Sequence, residues 1–174
     1  MVVSTCIITP KEKFINKVEA SGIIAFDLFD FRPTEEFVGL DIKDMLYMEM
    51  IIKEKEFKAM VKEMDFTVFT GKAVAIYCSV DTVIPSWVYM VLADKLCGVA
   101  AYFNFNTIRS LELEMWYANV LKADLSPYKD QKVVVRARPE ILPALYMLAT
   151  DRLRPVVKAL MYGEIGMPKV IYKR

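Results

Sequence analysis

The run Ile23 to Phe29 is short, apolar and aromatic, and turn-forming Asp30, Arg32 and Pro33 follow it, so it predicts a strand. From about Asp41 to Met64 there is neither Gly nor Pro, and Phe57, Met60, Val61 and Met64 fall at helical spacing, which predicts one long helix. Its first part, Met45 to Ile52, is apolar almost all round except at Glu49, so it is expected to be covered on more than one side. After Gly71, Ala73 to Cys78 is a continuous apolar run of strand length, suited to a sheet buried on both faces. Asp81 or Thr82 is expected to cap a helix that carries Pro85 in its first turn and runs to about Leu96, with Gly98 as its stop.

The second half continues the alternation. Val99 to Phe105 reads as a strand, Thr107 to Lys122 as a helix, Lys132 to Ala137 as a strand, Glu140 to Arg154 as a helix stopped by Pro155, and Val156 to Tyr162 as a last strand. The halves also echo each other. Asp65-Phe66-Thr67, Phe69 and Val74 recur as Asp124-Leu125-Ser126, Tyr128 and Val133; Pro85, Tyr89-Met90 and Asp94-Lys95-Leu96 recur as Pro143, Tyr146-Met147 and Asp151-Arg152-Leu153. The repeated unit is helix, strand, helix, strand, from about 46 to 104 and again from 105 to 162. Right-handed crossovers then predict one α/β domain over residues 1–174, an open, mostly parallel sheet with helices on both faces.

Composition narrows the chemistry. The 174 residues include no His, so Ser-His-Asp triads, Cys-His dyads and histidine zinc sites are excluded. The six glycines form neither G-x-G-x-x-G nor a phosphate loop ending in Gly-Lys-Ser/Thr. Cys6, Cys78 and Cys97 lack C-x-x-C spacing and read as reduced thiols of a cytoplasmic protein. No signal-peptide pattern opens the chain, and no apolar stretch reaches the ~18 residues of a membrane span, so no membrane partner is expected. A net charge of +1 gives nucleic acid no general attraction, although residues 1–104 hold 11 basic and 15 acidic side chains (−4) and residues 105–174 hold 12 and 7 (+5). Eleven methionines and the greasy 45–52 stretch point to a homodimer.

Four segments carry a family resemblance: Asp41-Ile42-Lys43-Asp44-Met45-Leu46, Lys53-Glu54-Lys55-Glu56-Phe57, Ile84-Pro85-Ser86-Trp87-Val88-Tyr89-Met90 and Met161-Tyr162-Gly163-Glu164. Over nearly the whole chain the sequence resembles the bacterial family called domain of unknown function 2480, which brings no activity with it. The resemblance implies cysteines at the ends of both repeated strands and after the Gly-Glu pair, with a histidine before the Asp-aromatic step. Here those positions hold Cys78, Ala137, Gly166 and Met64. A single thiolate does not make a four-coordinate zinc site, so neither a metal nor another cofactor is expected.

In a parallel sheet, ligands settle beyond the carboxyl ends of the strands. Those ends bring Asp27 and Asp30, then Cys78, Ser79 and Asp81, then Asn104 and Asn106, then Arg136, Arg138 and Glu140, then Glu164. Cys78 stands where a strand hands over to a helix, a place that can activate a thiol, although a free Cys after an apolar run is more often packing. Arg136 and Arg138 precede a helix N-terminus and suit a carboxylate or phosphate; solvated or salt-bridged arginines are the plainer reading. Asp27 with Asp30 offers a hard-cation or acid/base pair, against the commoner role of starting a turn. The ligand-binding set is therefore Cys78, Ser79, Asp81, Arg136, Arg138 and Glu164. No constellation combines nucleophile, base and oxyanion donor, so the leading expectation is a non-catalytic, homo-oligomeric binding or scaffolding protein. The alternative is an enzyme or sensor that takes a small anionic ligand in the strand-end cleft.

Overall fold

The structure, a computed structural model, describes residues 22–174. Among the described residues there are seven strands and four α-helices, the strands being β1 (Ile23–Phe26), β2 (Phe37–Asp41), β3 (Ala73–Tyr77), β4 (Tyr102–Phe105), β5 (Lys132–Arg136), β6 (Ala159–Gly163) and β7 (Lys169–Lys173). The helices are α1 (Glu54–Glu63), α2 (Ser86–Leu96), α3 (Ile108–Lys122) and α4 (Pro143–Leu153). The architecture is mixed α/β. Its strands do not form one sheet; they form two, in orders β1-β5-β6-β7 and β2-β3-β4, parallel except for the β6–β7 pair. The chain accordingly divides into a central unit, Asp30–Ala123, and a terminal unit made, among the described residues, of 22–29 and Asp124–Arg174.

In the central unit every residue of β3 from Ala73 to Ile76 is buried, as expected of a parallel strand covered on both faces. Val74 and Ile76 share a cluster with Phe57 and Val61 of α1 and Val88, Leu92 and Leu96 of α2, whereas Ala73 and Ala75 join Leu111 of α3 in a second cluster. Each fully buried Leu or Phe in such a cluster is worth about 1.5–3 kcal/mol of transfer free energy. In the terminal unit Val133, Val134 and Val135 of β5 are buried, and α4 buries Leu145, Ala149 and Leu153, spaced four residues apart on one stripe.

The predicted helix from Asp41 to Met64 is not continuous. Phe37–Asp41 is strand β2, Ile42–Met45 is a 3-10 turn, Tyr47 and Ile51 bridge in a tight hairpin, and α1 begins only at Glu54. The Asp41 carboxylate caps the 3-10 turn by accepting the Lys43 N–H at 2.9 Å, and the helical path is broken after it, where Leu46 is extended and Met48 and Glu49 take positive φ. Neither Asp81 nor Thr82 caps α2. Pro85 occupies that position, and the Thr82 hydroxyl instead donates to the Met50 carbonyl. Thr107 does cap α3, accepting the Ser110 N–H at 3.2 Å. Strands β2 and β7 were not apparent from the sequence pattern. Cys6 lies outside the described residues.

Candidate functional site

β1 ends at Phe26, and its register opposite Val135 brings the next residue, Asp27, beside Arg136 at the end of β5. Arg136 and Arg138 are two apart on extended chain and so project to the same side. Asp27 is 8% exposed, the one buried charged or polar side chain among the described residues. Its carboxylate accepts the Phe29 N–H at 3.0 Å, the Arg138 Nε at 3.1 and 3.2 Å, the Arg138 Nη2, and the Arg136 Nη1 at 3.4 Å. The Arg138 guanidinium also lies 5.2 Å from the Phe29 ring centroid. Desolvation is therefore offset by several charge-assisted bonds.

Chiefly through the Arg138 hydrogen bond, against the opposing effect of burial, the Asp27 carboxyl is held below the ordinary carboxylate range. The same bond holds Arg138 above its ordinary value, with Glu140 and Glu164 adding to the effect. Tyr146 of α4 closes the bracket from the helix side. Its hydroxyl accepts the Arg138 N–H at 2.8 Å and has one proton for either the Arg138 carbonyl at 3.1 Å or the Arg136 carbonyl at 3.3 Å. Burial pushes the Tyr146 phenol up, and its ring meets Tyr162 edge-on at 5.4 Å. Arg136 Nε is buried without a hydrogen-bond partner.

The central unit has a corresponding bracket. β2 ends at Asp41 and β3 at Tyr77, and the Asp41 carboxylate accepts the Ser79 N–H at 3.0 Å as well as that of Lys43. Burial alone would raise the Asp41 carboxyl, but the bonds from Ser79 and Lys43 lower it overall. Cys78 is half-buried; Ser79 and Asp81 are exposed. The six residues singled out from the sequence thus belong to different sheets: Cys78, Ser79 and Asp81 follow β3, whereas Arg136, Arg138 and Glu164 follow β5 and β6. Within the terminal unit Asp27 and Arg138 do meet, but as an ion pair. Asp27 neither pairs with Asp30 nor is left open to a cation. Sequence reasoning did not single out Tyr146 for the site, because its signal as a polar clasp, a hydroxyl one helical turn inside a Pro-led helix, is weak.

Among the described residues no group of three or more Cys, Asp or Glu is placed to hold a metal ion, and no helix is long and apolar enough to cross a membrane. The class is therefore an α/β protein of two mostly parallel sheets, each with an aspartate clasp at its strand ends. Residues 12–174 match the model of the family described as Protein of unknown function (DUF2480), and the chain belongs to that family. Comparison with the curated proteins and with the solved structures gave no match.

Proposed function

We propose that the chain is a non-catalytic, self-associating cytoplasmic binding protein built from a duplicated unit. The observation that carries self-association is the hairpin at Tyr47–Ile51. In the three-residue loop between bridged Tyr47 and Ile51, Met48 and Glu49 have φ of 51° and 57°, a left-handed backbone that costs roughly 1–2 kcal/mol per ordinary residue. It nevertheless holds Met48 at 74% and Met50 at 68% exposure, with Ile51 and Tyr47 beside them. A strained turn that displays four apolar side chains to water is explained if a second copy covers them. Sedimentation at micromolar concentration tests this: a dimer is expected, and Met48→Gln with Met50→Gln shifts it to monomer. A wild-type species of 20.0 kDa at that concentration refutes it.

The non-catalytic reading rests on the absent histidine and on the occupation of Asp27 by its arginines. Free Cys78 and Cys97 accord with a reducing compartment. Four correspondences support duplication of a unit with helices on both faces of its strands. Asp65 caps a turn through Thr67 as Asp124 does through Ser126; Val88, Leu92 and Leu96 match Leu145, Ala149 and Leu153 in burial. Tyr89 meets Phe105 edge-on at 5.1 Å as Tyr146 meets Tyr162; and Asp41 stands at the end of β2 beside β3 as Asp27 stands at the end of β1 beside β5.

A second reading places a small anionic ligand at the strand ends. The unpartnered Arg136 Nε favours it, while Asp27, Glu140 and Glu164 around Arg138 weaken the pull on an anion. A thermal-shift screen of phosphates and carboxylates checks it: a hit abolished by Arg138→Ala supports it, and no response counts against it.

A further inference from the structure

The terminal unit contains a groove of about 1210 Å³ between α4 and the outer strands β6 and β7. This exceeds the ~300–1,000 Å³ of common small-molecule sites. Met147, Thr150, Asp151 and Arg154 line one wall at i, i+3, i+4 and i+7, so α4 and the residue after it turn a second stripe, distinct from its buried one, toward the groove. Leu160, Ile171 and the rings of Tyr162 and Tyr172 line the other side. Met147 is 73% exposed and Ile171 52%, which leaves the apolar wall open to water.

Three guanidiniums reach this groove against one carboxylate, and two of the three are already engaged. Arg138 is bound to Asp27; Arg174 is bound to Asp130 at 3.2 Å and to the Pro155 carbonyl at 3.3 Å. Arg154 lies 5.2 Å above the Tyr172 ring, and among the described residues it forms no ion pair, not even with Asp151 one turn away. The Thr150 hydroxyl is turned back to the Tyr146 carbonyl at 2.8 Å. The result is a long apolar trough with, among the described residues, one uncommitted cation at its far end. α4 has 11 residues, so the trough runs for roughly 15 Å at ~1.5 Å per residue.

We propose that this groove binds an elongated aliphatic monoanion, its chain along Met147, Leu160 and Ile171 and its carboxylate on Arg154. The apolar walls recognise the chain, since each buried methylene contributes about 0.8 kcal/mol. Arg154, held over the Tyr172 ring, recognises the head through a paired, charge-assisted contact.

The test is calorimetry and thermal shift on the full chain with octanoate, decanoate and dodecanoate, all kept below micelle-forming concentrations, and with dodecyltrimethylammonium as a cation of equal chain. Affinity is expected to rise about 15-fold with each two-carbon extension that the groove buries. The cation should give no shift. Arg154→Met, at an exposed position, should keep the melting temperature of the free protein and weaken dodecanoate binding about tenfold or more. Equal responses to anion and cation, an unchanged affinity in Arg154→Met, or no response to any chain length overturns the proposal. If dodecanoate fails to bind while Met147→Glu turns an oligomer into monomer, a second copy covers the groove and the anion reading is wrong.

Discussion

Replacing Asp27 by Asn keeps the side-chain volume and one acceptor for the Phe29 N–H but removes the charge that Arg136 and Arg138 share. Removing one partner of a fully buried pair costs about 3–5 kcal/mol, whereas exposed pairs are worth about 0.2–1 kcal/mol. The Asp27 side chain is 9% exposed and the two arginines 40% and 39%, so the case lies between these limits. The expected loss is about 2 kcal/mol at pH 7. Because the folded-state carboxyl lies below its ordinary value, the charge stabilises the fold above the unfolded value of about 3.9. That contribution disappears as pH falls through the lower folded value. Urea melts of wild type and Asp27→Asn between pH 7 and pH 2.5 should therefore converge at the acid end. Far-UV circular dichroism is the suitable probe, since the terminal unit contributes helix and strand to it. A difference under about 0.5 kcal/mol at pH 7, the usual size for an ordinary surface substitution, or one that persists undiminished at pH 2.5, refutes the clasp.

Three further outcomes follow from the packing. Tyr146→Phe removes a hydroxyl that serves the Arg138 N–H and a neighbouring carbonyl and should lower stability by about 1–3 kcal/mol in urea. Leu145→Ala, at a fully buried position of α4, should cost about 2–5 kcal/mol by the same assay; a cost below 1 kcal/mol would mean that the α4 stripe is not packed as described. Iodoacetamide should modify exposed Cys97 before half-buried Cys78, as read by peptide mass spectrometry, and the reverse order would point to an activated Cys78 thiolate.

The elements with strong one-dimensional signals were legible. β3 and β5 announce themselves as unbroken Ala/Val/Ile runs, α3 as the segment from Thr107 to Lys122, and α4 as the segment before Pro155, which starts at Pro143 rather than at Glu140. The Asp41–Met64 segment was not, because its break falls at Met48 and Glu49, which take positive φ without the Gly or Asn that would mark a turn in the sequence. β7 escaped for a different reason: Lys169–Lys173 is a short, largely exposed edge strand with lysines at both ends, and it carries neither a buried run nor alternation.

The candidate site divides along the same line. Residue types and strand-end positions alone determined that Arg136, Arg138 and Cys78 stand where strands hand over to helices, and the missing histidine determined which chemistries are closed. Only the tertiary structure decided that the strands split into two sheets, so that Cys78 and Arg138 belong to different ones, and that Asp27 meets arginines 109 and 111 residues away. Pattern and capping are read within a few residues of chain; sheet partition and ion pairing depend on which distant segments fall side by side. No local propensity encodes that choice.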